Sequence, residues 1–283
     1  MAAAAAPGSV GQMEPDDLEA VEFVRDESGV SVVVGGHPQS HVPDDPEFLA
    51  FEYIAHLAAC LDLLLAPPPQ RVAVTHVGGA GLTLARYLAH VRPGSPQIVL
   101  EPDAALTEAV RRAAPLPRGH RIRVRPTTGE EGILALRPAS ADAVVLDAFV
   151  RGRVPAAVTT LEFLTTAAQV LSPGGVFLAN ITDEPGLRYV ARVAAGLSEA
   201  GLPHRALIAT HDVLKGRRHG NVVLVGSATG IDTVELDRRL RRLPFPTGIR
   251  SDVGRWARGA RPLTAADARP SPPAPDPGRW RVR

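Results

Sequence analysis

The strongest constraint in this sequence is a strand–turn–helix–strand pattern in residues 71–106, which read RVAVTHVGGAGLTLARYLAHVRPGSPQIVLEPDAAL. An apolar run meets the glycines Gly78, Gly79 and Gly81, a helical pattern follows, and a second apolar run ends at Glu101. Glycines at a strand end permit a tight turn and the close approach of a ligand. A carboxylate at the end of the next strand can accept hydrogen bonds from ribose hydroxyls. The pattern therefore predicts a nucleoside-binding βαβ unit.

The same alternation of apolar runs and helical patterns continues along the chain. Helical patterns at 81–91, 103–114, 129–136, 159–171 and 186–200 separate the first six of seven predicted strands: Val72–Val77, Gln97–Leu100, Ile122–Arg125, Ala143–Asp147, Gly175–Asn180, Arg205–Thr210 and Asn221–Gly226. Strand–crossover–strand repeats build a parallel sheet covered on both faces. The last two strands share a short loop, HDVLKGRRHG, so the final strand is expected to be antiparallel to its predecessor. The predicted fold is α/β, a seven-stranded Rossmann-like sheet resembling that of class I S-adenosylmethionine-dependent methyltransferases.

Changes in composition and periodicity divide the 283-residue chain into five regions. Residues 1–16 are expected to be disordered, and residues 17–66 to form a small N-terminal β-hairpin plus a helix that begins at Asp45 and Pro46. Residues 67–230 form the predicted nucleoside-binding transferase domain, and residues 231–253 a C-terminal extension. Residues 254–283 are rich in proline and arginine without periodicity, which predicts a disordered tail.

Composition excludes several classes of function. The net charge of +1 gives no reason to expect nucleic acid as a partner, and no apolar run approaches membrane-spanning length. The single cysteine, Cys60, cannot form an intramolecular disulfide and fits a reducing compartment, so the expected location is cytoplasmic. The nine histidines are scattered without paired ligand spacing, so no metal is expected, and His76 is predicted to be a core histidine. A homodimer is one possible assembly.

Acidic residues follow the next two predicted strands as well. Gly129 and Glu130 come after the third strand, where an acidic side chain could reach an adenine amino group, and Asp147 ends the fourth strand. Acids at three consecutive strand ends favour nucleoside binding over surface carboxylates on an empty fold. The third glycine of the dinucleotide motif G-x-G-x-x-G is replaced by Thr83, which argues against a dinucleotide.

These motifs together resemble the spermidine synthase (polyamine aminopropyltransferase) family over residues 30–226. The resemblance is carried by GGHPQS, EYIAH, VGGAGLTLAR, IVLEPD, TTGEEG, VVLDAF and LSPGGVFLAN. It implies a donor nucleoside, decarboxylated S-adenosylmethionine or S-adenosylmethionine, and a small-molecule amine or other acceptor. The implied nucleoside contacts are Gln39, Gly78, Gly79, Gly81, Glu101, Gly129 and Glu130, and the implied catalytic residue near the attacking amine is Asp147.

Departures from the family pattern are concentrated on the acceptor side. Ala80 and Val150 replace acidic residues of the family, and Arg151 and Arg153 follow directly, where cations would repel a diamine. The sequence therefore predicts a spermidine synthase-like transferase of aminopropyl groups with an unidentified amine acceptor. Two alternatives stay open: methyl transfer from S-adenosylmethionine to a non-polyamine substrate, and a non-catalytic nucleoside-binding homologue.

Overall fold

The computed structural model describes residues 21–34, 37–79 and 81–275, and it begins with a small antiparallel sheet. Its strands are β1 (Val21–Arg25), β2 (Gly29–Val34) and β3 (His37–Pro43), in that order. The predicted hairpin corresponds to β1 and β2, and its turn is held by Asp26, whose carboxylate accepts from the Ser28 amide at 2.7 Å. The third strand was not predicted, because HPQSHVP contains two prolines and lacks apolar alternation.

The main sheet has eight strands among the described residues, one more than predicted. They are β4 (Val74–Gly78), β5 (Gln97–Leu100), β6 (Ile122–Arg125), β7 (Ala141–Asp147), β8 (Leu171–Asp183), β9 (His204–Thr210), β10 (Gly220–Ser227) and β11 (Thr247–Arg250). The order is β11-β9-β10-β8-β7-β4-β5-β6. Strands β4 to β8 are parallel, and β10 is antiparallel to both β8 and β9, which confirms the predicted reversed strand. Strand β11 was missed because it is a four-residue edge strand that pairs only with β9.

Helices cover both faces of this sheet. They are α1 (Glu52–Leu64), α2 (Thr83–Val91), α3 (Ala104–Ala113), α4 (Gly129–Leu134), α5 (Leu161–Val170), α6 (Arg188–Glu199), α7 (His211–Leu214), α8 (Thr233–Leu240) and α9 (Val253–Trp256). Buried side chains of α4, α5 and α6 pack on one face, and those of α1, α2 and α8 on the other. Cys60 is fully buried in α1, as expected of a core thiol. No helix in the described ranges has the length and apolarity needed to cross a membrane.

The first helix begins later than the sequence indicated, at Glu52 rather than Pro46. Asp45 does organise a turn, because its side chain accepts from the Glu47 amide and its carbonyl from the Phe48 amide, both at 3.0 Å. That single turn is not continued, and the chain becomes extended at Phe51 before the helix starts. Local capping chemistry thus formed a turn where the sequence pattern had predicted a helix.

A buried ionic cluster ties α1 and α2 to α8. The Asp62 carboxylate accepts from the Tyr87 hydroxyl at 2.6 Å and from Arg239 at 2.9 Å. It also faces the fully buried Arg92, which donates to the carbonyls of Leu61 and Gln70. Because a buried charge is tolerated only when it is paired and hydrogen-bonded, this cluster fixes how α1 packs against the sheet domain.

The segment 254–275 differs from the expected disorder. Leu263 is fully buried in the same core as α5 and α6, and its carbonyl accepts from the Leu161 amide at 2.7 Å. Arg192 of α6 donates to the carbonyls of Arg261 and Pro262 at 2.9 and 2.7 Å. Most of these contacts are made by backbone carbonyls, which no pattern of side chains predicts. The sequence therefore predicted a disordered tail.

Replacing Leu263 tests this packing. We expect Leu263→Ala to lower the free energy of unfolding by about 2–4 kcal/mol, since it removes a fully buried leucine side chain. The matched control is Leu134→Ala in α4, whose side chain is 71% exposed; it should change stability by less than about 0.5 kcal/mol. Urea denaturation of both variants measures the difference. Equal stability of the two variants would mean that residues 254–275 do not pack on the domain.

Candidate functional site

The carboxyl ends of the central parallel strands bring most of the expected site residues to one edge. Gly78 and Asp147 are the last paired residues of β4 and β7, and Glu101 directly follows the last residue of β5. The order of strands reverses here, because β4 lies between β5 and β7. Such a switch point is where open α/β sheets bind ligands.

The two glycines at the end of β4 have different roles. Gly78 has φ +81°, and a Cβ there would lie 2.5 Å from the Asp147 carbonyl oxygen and 2.7 Å from the Ala148 Cα, so only glycine permits this approach of the two strands. Gly79 has φ +93°, and a Cβ there would meet nothing within 4 Å. Gly79 therefore provides a left-handed turn beside open space, which suits the close approach of a ligand. Ala80, which follows, lies outside the described residues.

Gly81 makes room for the N-terminal sheet. A Cβ at Gly81 would overlap the Ser40 side chain, and the Thr83 hydroxyl donates to the His41 carbonyl at 2.7 Å. Strand β3 is therefore held against the glycine turn, and Gln39 belongs to that strand. The side chain of Gln39 lies outside what the structure describes. In the sequence, Thr83 served only as evidence against a dinucleotide-binding motif. In the structure, its hydroxyl joins β3 to the glycine turn and so docks the two sheets.

Glu101 is a buried carboxylate with spare hydrogen-bonding capacity. It is 8% exposed, and its Oε1 accepts from the Asp103 amide at 3.1 Å. Burial raises the pKa of Glu101 above its usual value, and the Asp103 amide opposes that shift. A carboxylate in this environment is stabilised by further hydrogen-bond donors. Ribose hydroxyls supply such donors.

Gly129 and Glu130 start α4 at the same edge. A Cβ at Gly129 would lie 2.4 Å from a Val77 methyl group and 2.9 Å from a Val158 methyl group, so Gly129 is required for core packing. Glu130 is exposed in the first turn of α4, which the Thr128 hydroxyl caps. Glu130 is therefore accessible to a ligand, whereas Gly129 must be glycine for the core to pack.

Asp147 is half-buried and is held by a residue that sequence analysis missed. Its Oδ1 accepts from the Asn180 side-chain amide at 2.9 Å, and Asn180 is 1% exposed on β8. Burial raises the pKa of Asp147 to about 6, although the hydrogen bond from Asn180 lowers it. The Asn180 carbonyl oxygen is buried without a hydrogen-bond partner among the described residues. The pair therefore has an unused acceptor beside a carboxylate that titrates near neutral pH.

Tyr53 in the first turn of α1 is a second residue that sequence analysis did not single out. The pKa of its hydroxyl is raised well above the usual value, first by burial and then by the negative charge of Asp147. Its ring stacks on Phe51 at 5.9 Å. Both residues could have been noticed in the sequence, because Tyr53 belongs to the motif EYIAH and Asn180 is an amide in an otherwise apolar strand.

Other candidate residues have structural roles. His76 is buried and hydrogen-bonded to Gln97 at 2.9 Å, and burial lowers its pKa to about 4, which confirms the expected core histidine. Arg153 donates to the carbonyls of Pro270 and Ser271. Across the described ranges, no cluster of histidine, cysteine and acidic side chains could hold a metal ion. Two cavities of about 480 and 450 Å³ lie elsewhere, beside β11 and between α1 and α8.

Comparison with known proteins shows the family of this chain. No protein-family model matches the chain. The crystal structure of a probable spermidine synthase from Corynebacterium glutamicum superposes with a TM-score of 0.79 and 31% identity, covering 88% of this chain and 94% of that chain. This chain belongs to the spermidine synthase family.

Two further known proteins are similar to this spermidine synthase family member, one over part of its sequence and one in fold. A polyamine aminopropyltransferase of Vibrio vulnificus is 31% identical over 122 residues, which are 42% of this chain and 40% of that protein, so the match spans less than half of the curated relative. A spermidine synthase in complex with the transition state analogue AdoDATO superposes with a TM-score of 0.55 and 18% identity, covering 83% of this chain and 77% of that chain, a likeness of fold alone.

The raised pKa of Asp147 predicts that its carboxylate destabilises the fold once pH exceeds about 6. The pKa of Asp147 in the folded protein, about 6, lies above the usual aspartate value of 3.8, so folding favours the protonated form and stability is lost as pH rises through about 6. We expect Asp147→Asn to raise the free energy of unfolding at pH 8 by about 1–3 kcal/mol and to leave it unchanged near pH 3. Denaturation of both proteins across this pH range measures the effect. A variant less stable than wild type at pH 8 would contradict the assignment.

Proposed function

We propose that this chain is an aminopropyltransferase that moves the aminopropyl group of decarboxylated S-adenosylmethionine to an amine acceptor. The observation that carries the proposal is the half-buried Asp147, which is held by Asn180 beside the Gly78–Gly79 turn. A carboxylate with a pKa near 6 is ionised at neutral pH yet basic enough to share a proton with an amine. The family relationship supports the same reaction.

The donor nucleoside fits the edge formed by β4, β5 and α4. Gly79 opens on free space, Glu101 has capacity for ribose hydroxyls, and Glu130 is exposed at the start of α4, where it could reach an adenine. The family resemblance adds Gln39 on β3, a strand that docks on the glycine turn. A transition state analogue bound to a related spermidine synthase supports a donor of this class. We include S-adenosylmethionine and methylthioadenosine among the ligands of the same site.

The reaction is an in-line displacement at the aminopropyl carbon that is bonded to the sulfonium sulfur of the donor. The acceptor nitrogen forms a bond to that carbon with its lone pair, the carbon–sulfur bond breaks, and both electrons of the broken bond remain on the neutral thioether, methylthioadenosine. The acceptor amine must lose a proton, and Asp147 accepts it. Orientation of the amine by a fixed carboxylate supplies both proximity and general-base catalysis.

Asn180 and Tyr53 would act on the same nitrogen. The amide of Asn180 fixes the Asp147 carboxylate, and its unpartnered carbonyl oxygen can accept a second hydrogen bond from the amine. Tyr53 has a raised pKa and stays a neutral hydroxyl donor, so it can stabilise Asp147 without adding charge. A single carboxylate with two neutral partners is suited to one amine.

Binding of the donor tests the nucleoside half of the proposal. Glu101→Ala should weaken methylthioadenosine binding by roughly 1.5–3 kcal/mol, the range for hydrogen bonds to a charged group. The control is Glu108→Ala on α3, where the carboxylate is exposed and remote from the strand ends. Calorimetric titration of folded protein measures both affinities. Unchanged affinity in Glu101→Ala would remove Glu101 from the donor site.

Turnover tests the chemical half. Wild-type protein given decarboxylated S-adenosylmethionine and a panel of monoamines and diamines should release methylthioadenosine, and Asp147→Asn should lower kcat by roughly 10²–10⁴-fold with donor affinity unchanged. We expect putrescine to be a poor member of the panel, because Val150 stands where the family has a second acid. Methyl transfer from S-adenosylmethionine instead would favour the methyltransferase alternative. Nucleoside binding without any turnover would favour a non-catalytic homologue.

A further inference from the structure

The C-terminal segment runs from α6 to the loop that follows Asp147. After the contacts of Arg192 with Arg261 and Pro262, the Tyr189 hydroxyl donates to the Arg269 carbonyl at 3.0 Å. The segment then reaches Ser271, which is fully buried. We call residues 269–272 the C-terminal strap.

Ser271 clamps the far end of that loop. Its amide donates to the Val154 carbonyl at 3.1 Å, and its hydroxyl accepts from the Val154 amide at 2.9 Å. The Arg153 guanidinium donates to the carbonyls of Ser271 and Pro270 at 2.5 and 3.3 Å. Sequence analysis expected Arg153 to repel a diamine acceptor, but its guanidinium is engaged by the strap. Two consecutive residues of the loop are thus fixed by backbone groups of the strap and by the Ser271 hydroxyl.

The loop itself, residues 148–154, is short and stiff. Val150 and Arg153 form an antiparallel bridge, and the two residues between them, Arg151 and Gly152, both have positive φ, at 50° and 70°. This is the backbone of a tight two-residue hairpin turn. The loop leaves β7 at Asp147, and the strap holds its other end. Displacement of the strap would therefore shift the loop to which Asp147 is joined.

The strap also contacts the strand that holds Asp147. The Ser271 hydroxyl is 3.1 Å from the Thr182 hydroxyl, and Thr182 lies two residues beyond Asn180 on β8. Residues two apart on a strand share a face and are about 7 Å apart. The strap therefore borders the face from which Asn180 donates to Asp147, with the Ser271 hydroxyl engaged by Val154 and Thr182 and the strap carbonyls by Arg153.

We propose that the C-terminal strap positions the loop after Asp147 on the acceptor side of the transfer site. The assignment of an acceptor side rests on the proposed function. Ser271 and Arg153 are positioning residues, since they act on Asp147 through Val154 and the loop.

The test compares Ser271→Ala and Arg153→Met with the control Asp267→Asn in the full chain. Asp267 anchors the same segment to Arg192 of α6, away from the loop. Hydrogen exchange of the peptide 148–154, calorimetry with methylthioadenosine, and kcat and KM for the best amine of the panel are measured for each protein. Ser271→Ala and Arg153→Met should raise exchange in 148–154 by at least about tenfold, lower kcat/KM for the amine by about tenfold or more, and leave methylthioadenosine affinity within about twofold. Asp267→Asn should change none of these.

Two results would overturn the proposal: unchanged exchange in 148–154 when the strap contacts are removed, or a loosened loop with wild-type kcat/KM for the amine. If Ser271→Ala does not fold, the hydrogen exchange and kcat/KM of Arg153→Met test the proposal, because the Arg153 side chain is not part of the core. A wild-type protein without transfer to any amine would instead overturn the proposed function. In that event the exchange data still decide whether the strap holds the loop.

Discussion

The rest of the site depends on the contact between the ends of β4 and β7. Gly78 lies against the backbone of Asp147 and Ala148 so closely that any side chain would be excluded. This contact brings the glycine turn beside the carboxylate, at the point where the order of strands reverses. In the proposed function, a ligand on the turn and a reacting group at Asp147 would be neighbours because the two backbones meet here.

Burial gives Asp147 its chemical character at a cost in stability. Desolvation raises its pKa to about 6, and the Asn180 amide limits the shift. The same carboxylate in water would be a weaker base, since its pKa would lie near 4. Tyr53 shares this environment, so its hydroxyl remains neutral. A site of this kind is a local departure from the most stable arrangement, which is common where function is located.

Segments distant in sequence complete the site. Helix α1 brings Tyr53 to Asp147, and the ionic cluster around Asp62 fixes that helix against α8. Strand β3 docks on the glycine turn through Thr83, while the C-terminal strap binds the loop on the other side of Asp147. The N- and C-terminal segments thus enclose an edge that the central sheet alone would leave open.

The sequence by itself determined the alternation of strands and helices, the reversed strand and the acids at the strand ends, because these depend on local periodicity and on turn chemistry. Glu101 and Asp147 could be placed at one edge since parallel strands end together. Tertiary structure alone decided that Gly129 serves packing, that Asn180 holds Asp147 and that Ser271 clamps Val154. Each of these contacts joins residues far apart in the chain, through backbone carbonyls or buried amides that carry no periodic signal. Whether a carboxylate is buried enough to titrate near neutral pH also depends on such contacts, so no reading of the sequence could supply it.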